Sequence, residues 1–270
     1  MARKPKTFRS DMGWSSSEQI VVKGYDLPNE LLGKVNLGDM AFLELMDRLP
    51  TAQESIVANA LLVTLVEHGV TPSALATRLT MLGAPESLQG GVAAGLLGLG
   101  SVFVGTIEGS AQMVQEALAG TSSEVDLAAV AEEIVARFAK DKRIIPGLGH
   151  PIHKPEDPRT PRLFAIAAEN GFDGHYIALM QHIHQEAERH YQRVLPINAT
   201  GAIGAVASEL GIPWQICRGL GVMARAVGLV GHVLEEMRQP LAQEVWFRTE
   251  EEATAHVRSA KDDGINPKTA

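Results

Sequence analysis

The chain is short of cysteine, aromatic side chains and basic charge, and each shortage removes a class of protein. Cys217 is its only cysteine in 270 residues. Neither an intramolecular disulfide nor a cysteine-built zinc site can form, and a lone thiol suits a reducing cytosol. Lys and Arg number 24 against 32 Asp and Glu, for a net charge of −8 and a pI near 5.6. Neutralising phosphates takes concentrated Lys and Arg, so no nucleic-acid partner is expected. Gly-x-x-x-x-Gly-Lys-Ser/Thr and Gly-x-Gly-x-x-Gly are both absent, which excludes the usual nucleotide loops. No apolar signal core follows the basic start Met1–Arg9; with Asp11 and Glu18 close behind it reads as a plain tail, and a cytoplasmic protein is expected. What remains is ample core material, 45% hydrophobic against 21% charged, at a length that fits one large or two modest domains.

Helical periodicity fills the chain, and alternating strand patterns are almost absent, so the fold class is all-α. Phe42, Leu45, Met46 and Leu49 recur at helical steps and stop at Pro50. Ile56–Val66 is apolar nearly throughout and predicts a helix buried on most sides. Thr71-Pro72-Ser73 starts a helix over Ala74–Leu82. Val125–Phe138 is amphipathic and ends in Lys140, Lys142 and Arg143, which suit a negative helix C-terminus. Pro161–Asn170, Ile177–Arg193, Gly201–Leu210 and Trp214–Met237 complete the helices, and the residues around Lys261, Asp262, Asp263 and Pro267 read as a frayed tail. Gly90–Ile107 carries no charge and approaches membrane length. Its glycines and its lack of a basic or aromatic belt predict a buried central helix, with no membrane partner.

Three stretches interrupt this rhythm: Ile144–His150, His153–Pro161 and Leu195–Gly201. Gly147 and Gly149 let backbone approach a ligand closely beside His150, and Lys154 and Arg159 follow as cations for phosphate or carboxylate. The same pattern also describes a surface loop with solvated charges. His182, Glu186 and His190 share a helix face with His184 alongside, but steps of four and eight residues spread them over two turns. One ion cannot gather all three, so no metal site is expected. His68 ends the Ile56–Val66 helix, a place for a core histidine or for an active-site donor. Arg225 has apolar or small neighbours and needs an anion, from a ligand or from within the chain.

Taken together and in order, Leu65-Val66-Glu67-His68-Gly69, Ile145–His150 with Lys154 and Asp157-Pro158-Arg159, and Met223–Gly228 resemble the citrate synthase superfamily. Gly24-Tyr25, Arg48-Leu49-Pro50, Gly95-Leu96-Leu97 and Ile197–Gly204 resemble its citryl-CoA lyase branch and the citrate-cleaving module of ATP-citrate lyase. The likeness covers roughly Trp14–Arg238. It implies a large helical domain, residues 1–103 and 215–270, and a small mobile one, residues 104–214, closing over substrate in a homodimer or higher homo-oligomer. It implies cleavage of citryl-CoA, or a related 3-hydroxy-acyl-CoA, to acetyl-CoA and a 2-oxo acid such as oxaloacetate. Condensation is the near alternative within that chemistry. The CoA thioester is then substrate and product, a polycarboxylate is the other ligand, and no tightly bound cofactor is expected.

By the same resemblance, His68 binds a substrate carboxylate, with Glu67 where the family often has Asp. His150 polarises the oxygen at the cleaved bond. Arg159 and Arg225 clamp carboxylates, for which their planar forks are suited. Arg238 corresponds to a third arginine, which in the family reaches in from a neighbouring subunit. Ile145, Pro146 and Gly147 offer backbone to the CoA adenine, and Lys154 lies near its phosphates. Two positions depart from the pattern. Phe103 stands at or beside the family histidine that meets the thioester oxygen. Thr200 occupies the position of the catalytic Asp, and a hydroxyl cannot carry that proton at neutral pH. Three readings stay open: Glu67, Glu108 or Asp157 substitutes for it, the substrate needs its proton elsewhere, or the protein binds CoA and polycarboxylate without turnover.

Overall fold

Several helices in this chain begin where a polar side chain takes up the first free backbone N–H groups. Asn36 accepts from the Asp39 N–H and opens α1 (Leu37–Met46). Thr51 and Glu54 form a reciprocal capping box for α2 (Ala52–Val66): the Glu54 N–H donates to Thr51 Oγ1 at 3.2 Å and the Thr51 N–H to Glu54 Oε2 at 2.8 Å. Arg48 grips the same carboxylate at 2.5 and 2.8 Å, and against burial this pairing holds Glu54 at a pKa of about 2. These two helix starts thus follow from one to three side chains within a few residues.

The computed structural model describes residues 7–122 and 124–262; the first six residues of the basic start and the tail from residue 263 lie outside the described residues. A small antiparallel sheet comes first, β1 (Gly13–Ser15), β2 (Ile20–Val22) and β3 (Tyr25–Asp26), with Trp14 opposite Val21 and Val22 opposite Tyr25. A π-helical turn at Leu27–Leu31 leads into α1 and α2. There follow α3 (Pro72–Gly83), α4 (Leu88–Leu97), α5 (Gly105–Leu118), α6 (Leu127–Lys140), α7 (Arg159–Glu169), α8 (His175–Tyr191) and α9 (Ala199–Glu209). A 3₁₀ turn at Trp214–Ile216, α10 (Cys217–Arg238) and α11 (Ala242–Asp262) complete the order. With 64% helix the chain is all-α, as its periodicity predicts.

The described chain gathers into two units. Residues up to Thr64 join Val104–Gly221 in the first. Its core is the crossing of α5 and α9, with Ile107, Val114, Ile203 and Val206 fully buried, backed by Leu179, Met180 and Ile183 of α8. Leu65–Phe103 join the residues from Val222 onward in the second, where α3 and α4 pack together and Ala74, Leu229 and Val233 are buried. The chain passes between the units at 64/65, 103/104 and 221/222.

Three expectations are corrected. The uncharged run Gly90–Ile107 is not one helix: α4 stops at Leu97, where the Gly98 N–H turns back to the Gly95 carbonyl, and α5 begins only at Gly105. Gly98 and Gly100 are poor helix formers at the break. Close approach does hold in α4, since a Cβ on Gly95 would lie 2.8 Å from the Ser73 carbonyl of α3. Next, α2 is buried on one face, through Glu54, Val57, Ala58 and Leu61, while Ile56 and Val63 are 54% and 72% exposed. Finally, Lys261 and Asp262 end α11 rather than belonging to a frayed tail. Residues 214–238 form, among the described residues, one stretch long and apolar enough to cross a membrane, with mean hydropathy 1.3 and 44% of it buried in the protein.

The tightest backbone crossing in the first unit joins Gly147 to Gly201 at the start of α9. A Cβ on Gly147 would lie 2.5 Å from Gly201 Cα, and one on Gly201 would lie 2.9 Å from Gly147 Cα. Neither neighbour is a flexible side chain that can swing away. Gly201→Ala is therefore expected to destabilise the protein by about 3 kcal/mol, read as a lowered midpoint in urea unfolding.

Candidate active site

The three non-helical stretches singled out by sequence meet in the first unit. Gly147 and Gly149 adopt positive φ of 87° and 80°, and the chain between them pairs with the stretch before α9 through a bridge from Leu148 to Ile197. The Gly149 N–H donates to the Pro196 carbonyl at 2.7 Å, and the Asn198 N–H to the Gly147 carbonyl at 3.0 Å. Asn198 caps α9 by accepting from the Thr200 and Gly201 N–H groups, and its Nδ2 donates to the Gly149 carbonyl at 2.7 Å. Asp157 fastens the third stretch. Its carboxylate, fully buried, accepts from the Ala199 N–H at 3.0 Å and from Arg159 Nε and Nη2 at 2.9 and 2.7 Å. Burial pushes this carboxyl up, but the Arg159 side chain and backbone and the Ala199 N–H together hold it at about 2.

His150 stands at the end of this lacework. Its Nδ1 accepts from the Ile152 and His153 N–H groups at 3.1 and 2.9 Å, so the hydrogen bonds assign its single ring proton to Nε2. The His153 ring lies 4.4 Å away, tilted by 31°. His150 also lines a cavity of about 500 Å³. Lys142, Arg143, Lys154 and Arg193 surround that cavity with positive charge, and Ile144, Ile145 and Leu148 give it apolar wall. Of the residues expected to meet CoA, Ile145 and Lys154 line it. Pro146 sits instead against Gly109 of α5, and Gly147 against Gly201. The sequence reading missed Lys142, Arg143 and Arg193; the first two were visible as a basic cluster, explained there by the helix terminus alone.

The second unit holds His68, Arg225 and Arg238. His68 is exposed in the turn after α2, whose Gly69 has φ of 75°. Glu67 Oε1 accepts from the His68 and Gly69 N–H groups at 2.8 and 2.5 Å. Burial pushes Glu67 up, yet these bonds and His232 hold it below the usual carboxylate range. Arg225 is half-buried, and its Nη1 is buried without a hydrogen-bond partner among the described residues. Burial pushes its pKa down and the Glu67 charge opposes that. Such a nitrogen is an open donor that an anion or a water can satisfy. Arg238 is exposed on the last turn of α10, and Phe103 is 50% exposed in the turn after α4.

Thr200 is no acid. Its Oγ1 donates to Asn198 Oδ1 at 2.6 Å, inside the cap of α9. The three carboxylates that the sequence offered in its place all have partners: Asp157 in Arg159, Glu67 in two N–H groups and His232, and Glu108 in Arg218 at 2.6 Å. Arg159 spends one edge of its fork on Asp157, which leaves the Nη1 side for a ligand. Glu186 is paired with Arg189, and His184 lies 3.4 Å from Glu188; among the described residues no group of three or more His, Cys, Asp or Glu is placed to hold a metal.

The family model for the citrate synthase C-terminal domain matches residues 27–246. The chain resembles citryl-CoA lyase from Hydrogenobacter thermophilus at 33% identity and a TM-score of 0.78, over 87% of this chain and 88% of that one. An ATP citrate lyase from Methanosaeta concilii, solved in complex with (3S)-citryl-CoA, shares the fold at 24% identity and a TM-score of 0.71, over 88% of this chain and 40% of that one. Citrate synthase from Thermotoga maritima shares it at 21% identity and a TM-score of 0.62, over 77% of this chain and 55% of that one. Among curated relatives, a probable ATP-citrate synthase subunit 1 from Neurospora crassa is 23% identical over 256 residues, or 88% of this chain and only 37% of that protein.

The Asp157 arrangement carries its own test. Its folded pKa of about 2 lies below the ordinary 3.8, so its contribution to stability is complete above pH 4 or so and is lost as pH falls through about 2. Asp157→Asn is expected to lower stability at neutral pH by roughly 2 kcal/mol and to remove this residue's share of the loss between pH 4 and 2. Urea midpoints measured across that range check it.

Proposed function

The chain belongs to the citrate synthase family, and from that premise we propose that it is a carbon–carbon lyase cleaving citryl-CoA, or a close 3-hydroxy-acyl-CoA, to acetyl-CoA and oxaloacetate or a related 2-oxo acid. The observation that carries this reading is His150, held through Nδ1 by two backbone N–H groups at the lining of a cavity surrounded by four cationic side chains. Phosphates attract such a ring of Lys and Arg, and the apolar wall suits an adenine. In this reading the phosphoadenosine end of CoA occupies that cavity, which presents the thioester end to His150. No cofactor is held beyond the CoA thioester itself.

The chemistry asks little beyond placement. As the C–C bond breaks, the hydroxyl gives its proton to water and its carbon becomes a ketone, while the bond's electron pair passes to the departing carbon, delocalises into the thioester as an enolate and takes up a proton from water to give acetyl-CoA. His150 Nε2–H hydrogen-bonds the oxygen on which charge builds. Each unit offers its own carboxylate partners: Arg159 in the first, Arg225 and His68 in the second. The buried, unpartnered Nη1 of Arg225 supports that role, since an anion there satisfies a donor that the folded chain leaves open. The same residues serve the condensation run in the opposite direction.

One observation favours a second reading. Thr200 and the three alternative carboxylates are all engaged elsewhere, so no carboxylate of this set stands ready to protonate the enolate. A protein that binds CoA and a polycarboxylate without turnover fits that arrangement. A cytoplasmic homodimer completes the proposal. The buried free thiol of Cys217, pushed up to about 12 by burial, is inert and at home in a reducing compartment. Exposed Ile56 and Val63 on α2, and Val230, Leu234 and Met237 on α10, supply apolar surface for a second copy.

Incubating the protein with citryl-CoA and following oxaloacetate and acetyl-CoA tests the lyase reading. Turnover is expected, and His150→Ala is expected to lower kcat by about 100-fold or more. Turnover indifferent to that substitution removes His150 from the mechanism, and CoA binding without cleavage selects the second reading. Thr200→Asp separates a degenerate site, which gains activity, from a repurposed one, which loses it. Sedimentation equilibrium is expected to give twice the 28.9 kDa chain mass.

A further inference from the structure

Behind His68 and Arg225 the second unit contains a chain of buried polar groups to which the proposed reaction gives no part. Arg78 of α3 is 2% exposed, and His232 and Glu236 of α10 are 7% and 8% exposed. Arg78 donates Nε to His232 Nδ1 at 3.1 Å and Nη1 to Glu236 Oε2 at 3.0 Å, and its Nη2 meets Glu235. Glu236 is held in turn by the Leu241 and Ala242 N–H groups at the start of α11, at 2.9 to 3.1 Å. On its other side, His232 Nε2 lies 3.2 and 3.1 Å from the two oxygens of Glu67.

Elementary hydrogen-bond rules order this chain. Arginine has donors only, so the nitrogen that Arg78 Nε faces must be an acceptor. His232 Nδ1 therefore carries no proton, and the Nε2 proton points at Glu67. Glu67, so held, accepts from the His68 and Gly69 N–H groups and fixes the turn that carries His68. Glu67 also supplies the negative charge that opposes the desolvation of Arg225.

Helix geometry explains why these residues act together. Arg225, Gly228 and His232 are spaced by three and four residues and lie along one face of α10. Gly228 is where α10 touches the end of α2. A Cβ there would overlap the Val66 carbonyl oxygen and lie 3.2 Å from Glu67 Oε2. That contact sets the height of the helix over the turn, with Arg225 on one side and His232 on the other.

We propose that His232 is a positioning residue: backed by Arg78, it fixes the Glu67 carboxylate, which sets the His68 turn and the charge facing Arg225 for carboxylate binding. This rests on the lyase reading for the identity of the ligand but not for the geometry. Two substitutions divide the role. In His232→Gln the amide nitrogen takes the place of Nε2 and keeps the bond to Glu67. In His232→Asn the amide oxygen takes the place of Nδ1 and keeps Arg78 satisfied, but the side chain is too short to reach Glu67.

Two readouts are compared on the full-length protein. The first is the pair of backbone amide resonances of His68 and Gly69 with no ligand present. They are expected to shift and to exchange faster in His232→Asn, and to stay near wild type in His232→Gln. The second is steady-state cleavage of citryl-CoA. The Asn variant is expected to raise KM about tenfold or more with a smaller change in kcat, and the Gln variant to recover KM to within about threefold. Amides unmoved in the Asn variant overturn the proposal, as does an equal loss in both variants that tracks their thermal stability. Should the wild-type protein leave citryl-CoA uncleaved, the lyase reading falls, and the amide signals still decide whether His232 sets the turn.

Discussion

The carboxylate of Asp157 is the fastening on which the first unit's site depends. It is fully buried, and it joins Arg159, at the start of α7, to the Ala199 N–H, at the start of α9. A buried carboxylate survives only when its oxygens are well supplied with donors, and here an arginine fork and two backbone N–H groups supply them. Two helix starts and the loop ending at His150 are consequently set with respect to one another before any ligand arrives. The Gly147–Gly201 crossing and the Asn198 cap tighten the same region from the backbone side. Holding a reacting group on a rigid, pre-paired frame is what catalysis by placement requires.

The second unit solves the same problem differently. Its charges are strung along α3, α10 and the turn after α2: two carboxylates on Arg78, then His232, then Glu67, then Arg225. His232, meeting Arg78 through Nδ1 and Glu67 through Nε2, holds Glu67 with no arginine bonded to it directly. That leaves its charge available to Arg225. Buried ion networks stabilise little in net terms, because desolvation offsets most of the attraction. Their value here lies in fixing which way each group points.

How far the residues announced this depends on distance along the chain. The all-α class, most helix positions and the glycine-rich loop with His150 follow from periodicity and from Gly, Pro and Asn placed at breaks in it. The Thr51–Glu54 capping box was equally readable, and it starts α2 four residues earlier than the apolar run implies. Burial was not readable in the same way. An apolar stretch states that a surface avoids water, not which part of the chain covers it, so Val63 is exposed where a core helix was expected. The Arg78–His232 pair spans 154 residues of sequence and joins two helices whose packing no local pattern encodes. Asp157 shows the opposite error: its residue type advertises acid–base chemistry, and only its partners reveal a structural anchor.

The two arginines differ in how their charge is met. Arg159 has its charge matched in the folded chain, so a ligand meets a cation already oriented and already neutralised on one edge. Arg225 is only half-buried, yet one of its nitrogens is shut off from solvent and has no partner among the described residues. An unsatisfied buried donor costs about 1–3 kcal/mol. The folded chain carries that cost, and an anion reaching this nitrogen would relieve it. Glu67 limits that cost, because its charge opposes the desolvation of Arg225. A counter-charge tied back to a turn and a histidine keeps the half-buried arginine charged while one of its donors stays open.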